Sequence, residues 1–209
     1  MGRELLYREA LNEALAEEMT RDTTVFLIGQ GIAERGGSYK VTKGLVDTFG
    51  AERVIDTPIA EASMTGMAIG AAIQGKRPVV ELTYIDFTLL SMDMIVNQMA
   101  KYHFITGGAK TVPLVIRTQG GAGMGYAMQH SQSLEALFYH IPGLKIAVPS
   151  TPYDAKGLLK TAIRDDHPII FIEHKLLYET RGEVPVDDYT VPLGEAAIRR
   201  EGSDCTIVS

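Results

Sequence analysis

Short, unbroken apolar runs alternate along this chain with stretches of helical spacing, and that alternation admits few folds. Val25-Phe-Leu-Ile28, Val54–Asp56, Pro78–Leu82, Pro113–Arg117, Lys145–Val148 and Pro168–Glu173 read as strands. A strand that is apolar at consecutive positions has both faces buried, as in a parallel sheet covered by helices on each side. The segments between supply the helices. Glu4–Arg21 carries Leu5, Ala10, Leu11, Ala14, Leu15 and Met19 at helical spacing, and Lys43–Phe49, Ala62–Gln74, Asp86–Tyr102, Ser131–Tyr139 and Tyr153–Arg164 come after it. The expected fold class is α/β, an open parallel-sheet sandwich, with residues 1–181 as one domain. Gly182–Pro192 is acidic, holds two prolines and lacks periodicity, which reads as a linker over 182–193. Gly194–Arg200 and Cys205–Val208 read as the start of a truncated C-terminal domain.

Composition narrows the class without naming a reaction. A chain of 209 residues buries roughly 70% of its unfolded surface and needs no covalent staples. The one cysteine, Cys205, excludes an internal disulfide framework and a multi-cysteine zinc site. With no signal-peptide pattern, a reducing cytoplasmic setting is expected. No apolar run reaches the roughly 20 residues of a membrane helix. The formal net charge is −6 and the basic residues are scattered, so neither membrane nor nucleic acid is an expected partner.

Two glycine patterns are decoys. Gly70-Ala-Ala-Ile-Gln-Gly75-Lys76 approaches a P-loop, but Arg77 stands where a magnesium-binding Ser or Thr belongs, and the glycines fall in or at the end of a helix. Gly29-Gln30-Gly31 follows a strand, but Glu34 replaces the third glycine of a dinucleotide fingerprint.

Ligands of an open parallel sheet bind beyond the carboxyl ends of the strands, and polar residues gather at three such places. After Val54–Asp56, Glu61 stands among small apolar neighbours with no basic residue nearby in sequence. A carboxylate so placed is suited to donate a proton, and equally to start a helix on the favourable end of its dipole. After Pro78–Leu82 comes Thr83-Tyr-Ile-Asp-Phe87. Phe87 can stack on a flat ring or pack in a core. After Pro113–Arg117, a loop with four glycines in six residues leads to Gln129-His-Ser-Gln-Ser133. Glycine permits close backbone approach to a ligand, and His130 enters from that loop as a catalytic group or as a capping or core histidine.

Taken together, Arg53-Val-Ile-Asp-Thr-Pro-Ile-Ala-Glu61, Asp86-Phe87, Gln129-His-Ser-Gln-Ser133, Pro142-Gly-Leu-Lys145 and Pro149-Ser-Thr-Pro-Tyr-Asp-Ala-Lys-Gly157 resemble the β subunits of pyruvate, branched-chain 2-oxoacid and acetoin dehydrogenases. The resemblance runs from about Arg3 to Ser209, and Phe171-Ile-Glu-His-Lys175 is similar to the acetoin and bacterial pyruvate members. It implies a pyrimidine-binding half-site for thiamine diphosphate. Glu61 would then address the aminopyrimidine, with Phe87 and Thr83 at the cofactor and His130 facing substrate and lipoyl group. The resemblance further implies an α2β2 heterotetramer, whose α subunit holds the diphosphate and magnesium through a Gly-Asp-Gly signature. This chain has no Gly-Asp pair. A lipoyl acyltransferase core is the implied further partner, and a 2-oxoacid or acetoin the substrate. A structural potassium ion is implied on backbone carbonyls near Leu114, Ala162, Asp165 and His167. Gln30 departs from the family, whose members usually carry an acid there, so the resemblance does not extend to an acidic path between paired sites. A split transketolase half acting on sugars and a non-catalytic assembly subunit are the rival readings. The first would want basic or histidine side chains for a sugar phosphate, and the second has no need of Glu61, Phe87 and His130 together.

Overall fold

The computed structural model describes residues 2–198 and 200–207. Six parallel strands form the central sheet: β2 (Val25–Gly29), β3 (Val54–Asp56), β4 (Arg77–Leu82), β5 (Val115–Gly120), β6 (Lys145–Ala147) and β7 (Ile169–His174). Their order is β3-β2-β4-β5-β7-β6. The chain leaves β2 toward β3 on one side and β4 toward β5 on the other, which opens a crevice at their carboxyl ends.

Alternate residues of each strand enter two separate cores, which is why the strands are apolar throughout. On one face Leu27, Val79, Val115 and Phe171 meet Leu11 and Leu15 of α1 (Tyr7–Arg21) and Leu159 and Ile163 of α6 (Pro152–Arg164). On the other, Ile28, Val80, Ile116 and Ile170 meet Met64, Ala68 and Ile69 of α3 (Glu61–Ile73). Helix α6 starts on Thr151, whose hydroxyl accepts from Asp154 N at 3.1 Å, with Pro152 in its first turn. The short helices α2 (Leu45–Phe49), α4 (Tyr102–Ile105) and α5 (Glu135–Tyr139) complete the layers. Among the described residues no helix is long and apolar enough to cross a membrane.

Several segments differ from expectation. Glu4–Leu6 belongs not to α1 but to strand β1 (Gly2–Leu6), antiparallel to β8 (Arg181–Pro185), so the segment read as a linker opens with a strand. The residues after β8 pack on α6: Tyr189 stacks on Tyr153 at 4.7 Å, and Thr161 Oγ1 donates to the Val191 carbonyl at 2.6 Å. The single helix expected over Asp86–Tyr102 is a 3₁₀ turn at Ile85–Ser91, a π-turn at Asp93–Met99 and α4. Thr88 donates to the Ile85 carbonyl at 2.6 Å, a side-chain bond that competes with the α-helical ladder. The helix expected from Ser131 begins at Glu135, because Gln132 is engaged elsewhere: its carbonyl accepts from Gly121 N at 3.0 Å. Described residues of 194–207 carry no helix or strand, and Arg199 and Val208, parts of the two pieces expected there, lie outside the described residues.

Candidate active site

Residues that follow β3, β4, β5 and β7 meet at the carboxyl edge. Five residues beyond β3, Glu61 opens α3 and is buried. Its carbonyl accepts from Thr65 Oγ1 at 2.8 Å, and Thr65 Oγ1 lies 3.2 Å from Ser91 Oγ. That contact fixes the first turn of α3 against the 3₁₀ turn that carries Phe87. Among the described residues the Glu61 carboxylate has no hydrogen-bond or ion-pair partner. Its oxygens are not among the side-chain atoms sealed from solvent, so they stand open to a ligand.

Beyond β4, Phe87 meets the His130 imidazole edge to face, with ring centroids 5.3 Å apart, and Tyr84 meets the same imidazole at 5.1 Å. His130 closes the loop after β5. Gly121 (φ +90°) begins that loop, where a Cβ would fall 2.1 Å from His174 Nε2, so no other residue fits without displacing the imidazole. Asp86, buried in the turn with Phe87, accepts from Gln132 Nε2 at 2.9 Å. Lys175 Nζ donates to the His130 carbonyl and lies 4.9 Å from the Tyr84 ring centroid. Thr83 follows β4 directly and precedes Tyr84. Four side-chain atoms at this edge are buried without a partner: Gln30 Nε2, Tyr39 Oη, Asp86 Oδ2 and Gln119 Oε1. Gln30, Asp86 and Gln119 come from different loops and strand ends, and their orphaned atoms mark the crevice as a place built for further contacts.

Under this edge lies a sealed ionic cluster. Arg117 Nε and Nη2 donate to the two oxygens of Glu173 at 2.6 and 2.8 Å, and Nη1 donates to Glu81 at 2.8 Å. Tyr178 Oη adds a bond to Glu173 at 2.5 Å. Burial pushes the Glu81 carboxyl above its usual range; the Arg117 charge opposes this and the Glu173 charge adds to it. Burial opposes the charge on Arg117, but the Glu173 and Glu81 carboxylates outweigh it and hold the guanidinium more firmly protonated than an ordinary arginine. Tyr39 stacks on Tyr178 at 4.2 Å and meets Tyr84 at 6.2 Å, so aromatic contacts run from the cluster to His130.

The expected site residues therefore divide. Phe87 and His130 touch, and Glu61 stands on the helix packed against the Phe87 turn. Leu114, Asp165 and His167 precede β5 and β7, and Ala162 lies in the last turn of α6, so these four gather at the opposite, amino edge. There the Leu114 carbonyl accepts from Ile169 N at 3.0 Å, and those of Ile163 and Asp165 accept from Arg77 Nη1 at 3.1 and 2.9 Å. Lys175 and Tyr84 were not expected at the site as side chains. Lys175 follows β7 directly, so inspection of every strand's carboxyl end reaches it; the interior position of Arg117 has no such signal.

A parallel α/β sandwich with a polar, partly orphaned crevice at its carboxyl edge is the architecture of a cofactor-binding domain. Residues 3–181 match the family model for the transketolase pyrimidine-binding domain, and the chain belongs to that family. It is 47% identical to the 2-oxoisovalerate dehydrogenase subunit beta of Bacillus subtilis, over 97% of this chain and 62% of that one. It is 53% identical to the pyruvate dehydrogenase E1 component subunit beta of Porphyra purpurea, over 96% and 61%. It is 50% identical to the acetoin:2,6-dichlorophenolindophenol oxidoreductase subunit beta of Cupriavidus necator, over 100% and 64%. The chain thus spans somewhat over three fifths of the length of these relatives. A solved split-gene transketolase, described as an inactive beta4 tetramer, shares the fold with a TM-score of 0.63 at 19% identity, over 82% of this chain and 51% of that one.

Proposed function

We propose that this chain is the pyrimidine-binding part of the β subunit of a 2-oxoacid or acetoin dehydrogenase, working with an α subunit on thiamine diphosphate. The observation that carries the reading is the Glu61 carboxylate, open to a ligand and unpartnered among the described residues, on the helix packed against the turn of Phe87, with His130 against that ring. These groups fit an aminopyrimidine: a carboxyl that can share a proton with its ring nitrogen and an aromatic face for its plane. When bound, thiamine diphosphate supplies a carbanion at its thiazolium carbon and an electron sink for decarboxylation. The chain's own part is to hold a proton on the Glu61 carboxyl opposite the ring nitrogen, to orient the ring against Phe87, with Thr83 beside it, and to present the His130 imidazole to the substrate and the lipoyl group.

The magnesium and the diphosphate fall to the α subunit in an α2β2 assembly, which passes its acyl group to a lipoyl acyltransferase core. A structural potassium ion would sit at the C-terminal carbonyls of α6, whose dipole favours a cation. Arg77 already serves two carbonyls there, and the amino edge gives such an ion no access to the chemistry. Relatives near 50% identity favour a dehydrogenase over a sugar-transferring half.

The test is Glu61→Gln in the assembled enzyme. Exchange of the cofactor's thiazolium proton, followed by NMR after acid quench, should slow by about 10²–10⁴, with substrate binding changed less. His130→Ala should leave that exchange intact and depress acyl transfer to lipoamide. Normal exchange in Glu61→Gln rejects the reading.

A further inference from the structure

Lys175 is 2% exposed, and among the described residues it forms no salt bridge. A lysine is seldom this buried without a carboxylate in contact. Its Nζ is held instead by the His130 carbonyl and the face of Tyr84. Burial lowers its pKa below the ordinary lysine value, and the charge of Asp86 acts against that. Asp86 lies on the other side of the same loop end. It accepts from Gln132 Nε2 at 2.9 Å and, at the long distance of 3.4 Å, from Gln132 N.

The loop that these two residues grip needs an anchor. Residues 122–129 are exposed, and Gly121, Gly123, Gly125 and Ala127 all have positive φ. Nothing in such a segment fixes His130 by its own conformation. We propose that Lys175 and Asp86 are positioning residues that clamp the loop on either side of Ser131, one through the His130 carbonyl and the other through Gln132, and so set where the imidazole stands. Asp86 sits beside Phe87 in the 3₁₀ turn, so the clamp refers His130 to the ring that it faces. This inference rests on the reading of His130 as the group that meets substrate.

The experiment is a double-mutant cycle in the full α–β assembly. Lys175→Met should lower kcat for acyl transfer to lipoamide by about 10–100-fold, the effect of a displacement near 1 Å, with KM and thiazolium proton exchange little changed. Lys175→Arg should recover part of the loss. In a His130→Ala background Lys175→Met should have no further effect, because two residues acting as one unit are not additive. Chymotryptic cleavage within residues 122–129 should speed up in Lys175→Met. Faster cleavage without loss of transfer would leave the clamp standing and reject the role of His130. Unchanged cleavage and unchanged transfer would overturn the clamp, as would an equal loss of transfer in both backgrounds. If Lys175→Met fails to fold, Lys175→Gln, which keeps a donor and drops the charge, takes its place in the cycle.

Discussion

At the scale of single residues, the chain places its least soluble chemistry directly beneath its crevice. Arg117, Glu81 and Glu173 together would carry one net negative charge in a sealed interior, and such a charge is costly unless a proton removes it. The raised pKa of Glu81 identifies the carboxyl that takes the proton. The folded state then binds that proton more tightly than the unfolded chain. Its contribution to stability is full below the ordinary value of 4.5 and is lost as pH rises through the higher folded value. Glu81→Gln should therefore gain stability relative to the parent as pH rises from about 4.5, and urea unfolding at pH 5 and pH 8 measures it; a constant difference rejects the assignment. Arg117→Met leaves the bonds of Glu173 and Glu81 unmade and should cost about 3–5 kcal/mol in the same measurement. The position of Glu61, Phe87 and His130 beyond the strands' carboxyl ends was legible in the sequence because each follows an apolar run. The cluster was not, since Arg117 ends its run and looks like a strand terminus. Only the sheet register, which sets Glu81 beside Arg117 and Arg117 opposite Phe171, puts the three on one face.

At the scale of elements, the strands of the sheet were legible because burial on both faces writes itself as an unbroken apolar run. The β1–β8 ribbon was not. Its strands are half-exposed, Glu4 to Leu6 fits a helical period as well as a strand, and its partner lies at the far end of the domain. The segment after β8 is likewise hidden, because its contacts with α6 come from polar and aromatic residues without a period. Gly157 shows how close that packing is: a Cβ there would lie 2.5 Å from Val191 Cγ2 and 2.9 Å from the Tyr189 ring. Gly157→Ala should push residues 189–191 off α6 and cost about 1–3 kcal/mol by overpacking, with thiazolium proton exchange in the assembly untouched. Thermal unfolding beside the exchange assay checks both halves. A neutral substitution would mean that the segment is only lightly held.

At the scale of the whole molecule, in the proposed function the chain offers an aminopyrimidine a carboxylate, an aromatic face and an imidazole, all at one edge of one sheet. It offers a diphosphate much less. Two cations beside His130 and beneath the crevice, Lys175 and Arg117, are spent inside, on the His130 carbonyl and on two glutamates. A ligand with several negative charges gains most of its affinity from donors and cations fixed in place, and those groups must come from elsewhere. The isolated chain should accordingly bind thiamine diphosphate with magnesium only weakly, while addition of an α subunit should tighten binding by several orders of magnitude. The aminopyrimidine fragment, which lacks the diphosphate, should bind the isolated chain about as well as the whole cofactor does, because it keeps every contact that this chain provides. Calorimetric titration of cofactor and fragment, with and without the α subunit, separates the contributions. Tight binding of the cofactor by the chain alone, with the fragment far weaker, would place the diphosphate site here and refute the division of labour. Equal and weak binding of the two, with Glu61→Gln abolishing both, is the outcome that the crevice predicts.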